Sequence, residues 1–223
     1  RTCDTCQHTA YPPGPRHGGR QYVPVSSPFA CCAIDVVGPI GTLDTPTTKG
    51  NNFVVTIIDW FTRWIEAIPV QDTIAESIVK ALEVFTTKHG VPRRIVSDNA
   101  KYFHSKILQQ YENKIGLKHS FVSAYRPQGN SKLERFHRTL GRKMKNKLRD
   151  TGETDWDTHL PAIVFSYNCT VHRATGFSPF QLPHGREPLL PFDATIEPIN
   201  EDLSKSTNEY YKKMVTRLQS WWA

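Results

Sequence analysis

The hydrophobic positions change period along the chain, and each change marks an element. Phe29 to Val37 is an apolar run broken by Asp35, which predicts a buried strand. Asn52 to Asp59 is β-branched and bounded by turn residues. Trp64 to Val70 alternates, so the two read as a hairpin, with the Pro69 strand nearer an edge. The period then becomes helical. Ile74, Ile78, Val79, Leu82 and Phe85 form the stripe of a helix expected to start at a Thr73 cap, with Glu76 as capping-box partner, and to stop near His89, before Gly90. A strand over Arg93–Ser97, a short helix over Ser105–Asn113 and a strand over Lys118–Val122 follow. The clearest helix covers 130–149, where Leu133, Phe136, Leu140, Met144 and Leu148 repeat at helical spacing. Further helices are expected over Trp156–Cys169 and about Asn200–Ala223, on either side of a Pro- and Gly-rich stretch. Three strands, a helix, a strand, a helix, a strand and then helices predict a mixed α/β sheet flanked by helices.

Residues 1–28, rich in Pro, Gly, His and Arg and without periodicity, read as a linker. A length of 223 residues can bury a sizeable core and suits one domain with appendages. Lys and Arg number 28 against 21 acids, giving a net charge of +7, which favours a polyanionic partner. No apolar run approaches the length of a membrane span, and the chain opens without the charged start and apolar stretch of a signal peptide. Five cysteines, two of them adjacent, make a poor disulfide framework and point to a reducing compartment. Cys31 and Cys32 read as small core residues rather than reactive thiols.

Three acids carry the candidate chemistry. Asp35 sits inside an apolar run, where a charge is costly unless it is paired or holds a metal. Asp98 ends the run Arg94-Ile95-Val96-Ser97. Glu134 lies at the start of the long helix, with 35 residues between it and Asp98. Carboxylates converging on one point make a hard-oxygen site for Mg2+ or Mn2+, and two such ions suit phosphoryl transfer. Asp59 also ends a strand, but Asp opening a tight turn reads as structural. The long helix carries Lys132, Arg135, Arg138, Arg142, Lys143, Lys145, Lys147 and Arg149. A solvated basic face is one reading; phosphate contact by Arg138 and Arg142 is the reading adopted. His137 either contacts DNA or caps the site. Asn99, Gln128 and Asn130 are candidates for positioning DNA or are ordinary loop residues. Cys3-x-x-Cys6 has zinc-ligand spacing, but two ligands do not close a tetrahedral site.

The combination Ile34-Asp35-x-x-Gly38-Pro39, Asp59-x-Phe61-Thr62-Arg63-Trp64, Val96-Ser97-Asp98-Asn99, Tyr125-Arg126-Pro127-Gln128-Gly129-Asn130 and Glu134-Arg135-Phe136-His137-Arg138-Thr139-Leu140 resembles the ribonuclease-H-like catalytic core of retroviral integrases. Integrases of gypsy-like long-terminal-repeat retrotransposons are the nearest type. Tyr167-Asn168, His172 and Thr175-Gly176-Phe177-Ser178-Pro179-Phe180 extend the likeness. The resemblance implies a mixed five-stranded sheet flanked by helices over 29–190, with a partly helical C-terminal extension over 191–223. It implies a polynucleotidyl transferase that trims element DNA ends and joins the 3′ hydroxyl to target DNA. Asp35, Asp98 and Glu134 would be both its catalytic residues and the ligands of two Mg2+ or Mn2+ ions. Cys3 and Cys6 would be the last ligands of an upstream His-His-Cys-Cys zinc domain, and Zn2+ is expected only with that domain. The implied partners are element DNA ends, target DNA and further copies of the chain as a dimer or tetramer. The implied place of action is the nucleus, after processing from a cytoplasmic polyprotein. A host-adopted relic that binds DNA or protein without catalysis, and a related two-metal nuclease or transposase, remain as alternatives.

Overall fold

A computed structural model describes residues 25–40, 47–121, 131–151, 155–173, 175–190 and 207–222. Five strands make one sheet: β1 Cys31–Val37, β2 Phe53–Asp59, β3 Ile65–Val70, β4 Arg94–Ser97 and β5 Lys118–Phe121. The helices are α1 Ala75–His89, α2 Lys106–Ile115, α3 Ser131–Thr151, α4 Trp156–Asn168, the short α5 Gln181–His184, and α6 Thr207–Trp222. A single 3-10 turn covers Lys101–His104. None of the described helices is long and apolar enough to cross a membrane.

The sheet order is β3-β2-β1-β4-β5. β1, β2 and β3 pair antiparallel as a meander, whereas β4 and β5 run parallel to β1. The central position of β1 explains its unbroken apolar run, since a strand covered on both faces cannot alternate. Cys32 and Ile34 face one core with Ile57, Ile78, Leu82 and Phe85, beneath α1 and α2. Ala33 faces the other with Ile58, Phe136, Leu140, Trp156 and Leu160, beneath α3 and α4. Both adjacent cysteines are buried, as expected of core residues.

Local chemistry differs from expectation in two places. The Thr73 cap and its capping box do not form; Ile74 holds the N-cap position without a side-chain bond. Asp72 serves instead, its Oδ1 accepting from the Ile74 amide at 3.2 Å and from Ser77 Oγ at 2.6 Å. A carboxylate is the stronger acceptor and complements the positive end of the helix. β1 starts two residues later than the apolar run, because Phe29 has φ +58° and a left-handed residue cannot continue a strand. Ser105, by contrast, caps α2 through the Leu108 amide at 3.2 Å.

Pro69 does lie on an edge strand, and one residue of that edge is capped by a side chain. Asn168, at the end of α4, accepts from the Ile65 amide at 3.0 Å and donates to the Ile65 carbonyl at 2.9 Å. Its amide thus replaces a neighbouring strand at the outward-facing residue of β3. The other end of α4 is tied down by Asp157, which accepts from Thr47 Oγ1 and Asn51 Nδ2 at 3.1 and 2.7 Å. Gly185 has φ +65°, and a Cβ there would lie 2.9 Å from Met214 Cγ; glycine is what lets α6 approach α5. Asn168→Ala would leave both polar groups of Ile65 unpaired beside the core. The variant should lose about 2–5 kcal/mol in denaturant unfolding, with an unchanged native far-UV spectrum.

Candidate active site

The parallel ladder decides where the first two acids meet. Cys31, Cys32 and Ala33 pair with Arg94, Ile95 and Val96, a constant offset of 63 residues. The same offset separates Asp35, two residues beyond that pairing on β1, from Asp98, the residue that follows β4, so continuing the register brings the two acids toward one end of the sheet. Alternation along β1 puts Asp35 on the Ala33 side of the sheet, under α3. Asp98, two residues beyond Val96, follows by the same alternation. The Tyr102 phenol senses both acids. Burial, then the charge of Asp98, then that of Asp35 push its pKa up to about 12.

Each carboxylate is oriented by neutral donors. Asp35 Oδ1 accepts from the Val36 amide at 2.8 Å, and Asp98 Oδ1 from the Ala100 amide at 3.1 Å. Across the antiparallel ladder Asp35 faces Thr56, whose hydroxyl bonds the Asp35 carbonyl and stands 2.8 Å from His137 Nε2. His137 Nδ1 lies 3.7 Å from Asp35 Oδ2. Burial lowers the His137 pKa to about 4, so at neutral pH the ring carries no charge toward Asp35.

His137 also locates the stretch of α3 on which Glu134 lies. Glu134 precedes it by one turn of α3, so the turn bearing Glu134 adjoins the Asp35 end of the sheet. The Glu134 side chain lies outside the described residues. Among the described residues no three His, Cys, Asp or Glu groups form a metal-ligand set. The donor chemistry nevertheless fits a divalent cation: two carboxylates are both near enough to act on Tyr102, and the imidazole beside Asp35 is neutral.

The remaining sequence candidates divide by position. Asn99 is exposed beside Asp98. Arg138 and Arg142 are exposed on α3, opposite its buried stripe of Leu133, Phe136, Leu140 and Met144. Gln128, Asn130, Cys3 and Cys6 lie outside the described residues. Asp59 serves the β2–β3 turn: Oδ2 accepts from the Thr62 amide at 2.8 Å and its hydroxyl at 2.7 Å. Burial raises its pKa against those bonds. Thr56 and Tyr102 were not among the sequence candidates. Hairpin register counted from the Asp59 turn would have found Thr56; nothing local marks Tyr102.

A mixed sheet in this order, with the first strand central and helices on both faces, defines a ribonuclease-H-like α/β domain. Residues 26–127 match the family model described as integrase core domain. The chain is 29% identical over 178 residues to the Gag-Pol polyprotein of Koala retrovirus, covering 79% of this chain and 10% of that one. It is 28% identical over 196 residues to the retrovirus-related Pol polyprotein from transposon 412 of Drosophila melanogaster, covering 86% and 15%. It thus spans only 10–15% of the length of these curated relatives. The HTLV-2 integrase catalytic core domain, solved in complex with magnesium in a trimeric form, shares the fold. Its TM-score is 0.58 at 18% identity, over 71% of this chain and 98% of that one. These likenesses together support an integrase core of the ribonuclease-H-like superfamily in this chain.

The neutral His137 has a pH signature. Its folded pKa of about 4 lies below the ordinary 6.5, so between those values the unfolded chain binds a proton that the native chain does not. Its contribution to stability is complete above pH 6.5 and is lost as pH falls toward 4. With a chelator present, the imidazole resonances should titrate near pH 4. His137→Gln should flatten the stability profile over the same window; a midpoint near 6.5 would contradict the buried, neutral assignment.

Proposed function

We propose that this chain is the catalytic core of a retroelement integrase, which trims the 3′ ends of element DNA and joins them to target DNA. The supporting observation is that Asp98 and Asp35 both act on the Tyr102 phenol, while His137, one turn beyond Glu134 on α3, lies 3.7 Å from Asp35. Asp35, Asp98 and Glu134 are the residues that would hold two Mg2+ or Mn2+ ions; bound there, the ions would supply Lewis-acid stabilisation of the attacking and leaving oxygens. The magnesium and the trimeric form belong to the HTLV-2 core, and they lend support to a divalent metal and to self-association here.

The rest falls to the side chains. The Val36 and Ala100 amides hold the two aspartates in fixed orientations, so little rearrangement is needed when phosphate arrives. His137 packs between Thr56 and Asp35 and, being uncharged, leaves the negative charge of the site intact. In end trimming, a water oxygen forms the new P–O bond and the 3′ oxygen leaves with a proton as a hydroxyl. In joining, that hydroxyl attacks a target phosphodiester, and one P–O bond forms as another breaks. No covalent enzyme intermediate is needed, and none of these roles calls for a nucleophilic Ser or Cys. Arg138 and Arg142, exposed one and two turns beyond Glu134, are assigned to backbone phosphates, and Asn99, Gln128 and Asn130 to DNA positioning. Element ends, target DNA and further copies of the chain are the proposed partners, and the nucleus is the proposed place of action.

Glu134→Gln removes one negative charge and keeps the size of the side chain. It should abolish joining, and also the reverse reaction on a branched substrate, while DNA binding persists. A folded wild-type chain with Mg2+ or Mn2+ that leaves the branched substrate intact would point to a non-catalytic relic. Cutting of any duplex by water alone would point to a nuclease. Arg138→Ala and Arg142→Ala should each lower the salt dependence of DNA binding by about one unit of slope, with the melting temperature unchanged. An unchanged slope in both would return these residues to a solvated surface.

A further inference from the structure

Behind the Asp98 end of the sheet, under α2, lies a chain of polar side chains that the reaction above does not use. His119 on β5 places Nδ1 2.7 Å from Glu112 Oε1 on α2 and Nε2 2.8 Å from Ser97 Oγ on β4. Ser97 Oγ in turn donates to the Asp98 carbonyl at 2.8 Å. Ser97 is 0% exposed and Glu112 5%, and the His119 side chain is 5% exposed. The Phe121 ring stacks on the imidazole at 4.3 Å and Phe103 meets it edge-on at 5.7 Å.

Counting protons sets the direction of the chain. Ser97 has one proton and spends it on the Asp98 carbonyl, so its oxygen must accept from His119 Nε2–H. Nδ1 and Glu112 then share a second proton between them. The order Ser, His, acid is that of a hydrolase triad. Here the hydroxyl is fully buried and its proton points at a main-chain carbonyl, so no substrate reaches it. Stability alone does not call for such a chain, because apolar residues of similar volume usually serve a core as well as a buried ionic pair. What this one does is hold Asp98. The β4–β5 ladder ends at Ser97 paired with Phe121, so Asp98 is the first residue that strand pairing does not fix. Its carbonyl is held by Ser97 and its carboxylate by the Ala100 amide.

We propose that Ser97, His119 and Glu112 form a relay of positioning residues that fixes the main chain at Asp98, and through it the orientation of the Asp98 carboxylate toward a divalent cation. The role of Asp98 rests on the integrase reading; the relay itself rests on the hydrogen bonds. The relay acts through Asp98 and touches no substrate.

The test uses the full chain. Ser97→Ala removes one hydroxyl at almost no change of volume. Without metal, it should speed hydrogen exchange at the Ala100 amide about tenfold. It should weaken Mn2+ binding measured by calorimetry by about 10–100-fold, the usual effect of losing a partner behind a metal ligand. On a branched DNA substrate kcat should fall while KM for DNA stays unchanged. Ser97→Thr, which restores the hydroxyl, should recover most of the Mn2+ affinity. If Ser97→Ala does not fold, a second pair serves. Glu112→Gln still donates to Nδ1 and should retain Mn2+ binding, whereas Glu112→Met should lose it to the same extent as Ser97→Ala. Variants that melt earlier but keep wild-type Mn2+ affinity and wild-type exchange at Ala100 would overturn the relay and leave the integrase reading intact. A wild-type chain that binds Mn2+ through Asp98 but never joins DNA would overturn the integrase reading. In that case, loss of Mn2+ affinity in Ser97→Ala would still support the relay. A wild-type chain that takes up no Mn2+ would overturn both.

Discussion

The parallel pairing of β1 with β4 is the contact on which the site depends. Asp35 lies two residues beyond the stretch of β1 that pairs with β4, Asp98 directly follows β4, and the offset that aligns Cys31 with Arg94 is also the offset between the two acids. A slip of one residue would turn one carboxylate to the opposite face, under α2 instead of α3. The register is held from both sides. Ile34, Ile57 and Ile95 interlock in one core, while Ala33, Ile58 and Phe136 interlock in the other. A site built this way takes the position of Asp35 from the packing of the sheet, while Asp98, just past the end of β4, is held by the bonds of its carbonyl and carboxylate.

Helix α3 does two jobs with two faces. Leu133, Phe136, Leu140 and Met144 are buried against β1, β2 and α4, which fixes the rotation of the helix. That rotation turns His137 toward Asp35 and leaves Arg138 and Arg142 in solvent. The polar and the basic positions are therefore consequences of one apolar stripe. Helix α4 keeps this arrangement in place from behind, pinned at one end by Asp157 and at the other by Asn168. A residue as far from the site as Asn168 is thus part of what holds it, by capping one residue of the edge strand on which α4 rests.

The two faces of the sheet carry opposite kinds of polar chemistry. On the α3 side, Asp35 and Asp98 gather negative charge beside a neutral imidazole. On the α2 side, Ser97, His119 and Glu112 satisfy one another in a closed chain ending on the Asp98 main chain. The residues Ser97 and Asp98 are neighbours in sequence and point to opposite faces, so the strand end itself is the link between the two clusters. The chain lies against an apolar core, which makes every bond in it strong and any unmade one costly.

How much was legible in the sequence follows from what each signal depends on. Strand and helix identities came from periodicity, a local property, and so the meander, α1, α2, α3 and α4 all appear within a few residues of their expected bounds. Asp35 and Asp98 could be singled out because a charge inside or ending an apolar run is anomalous by itself, and Asp59 could be set aside because Asp opening a tight turn is also a local signal, here realised by its bonds to Thr62. The cap at α1 was misplaced by one residue, since Thr73 and Asp72 both offer an acceptor and only the backbone path chooses between them. The partners of His119 and His137 could not be read at all. Their bonds join residues 7 to 81 positions apart in the chain, from Glu112 to His119 and from Thr56 to His137. Local pattern determined the elements and the acids; strand register and the rotation of α3 decided which side chains meet, because those are set by packing across two cores that no stretch of sequence contains.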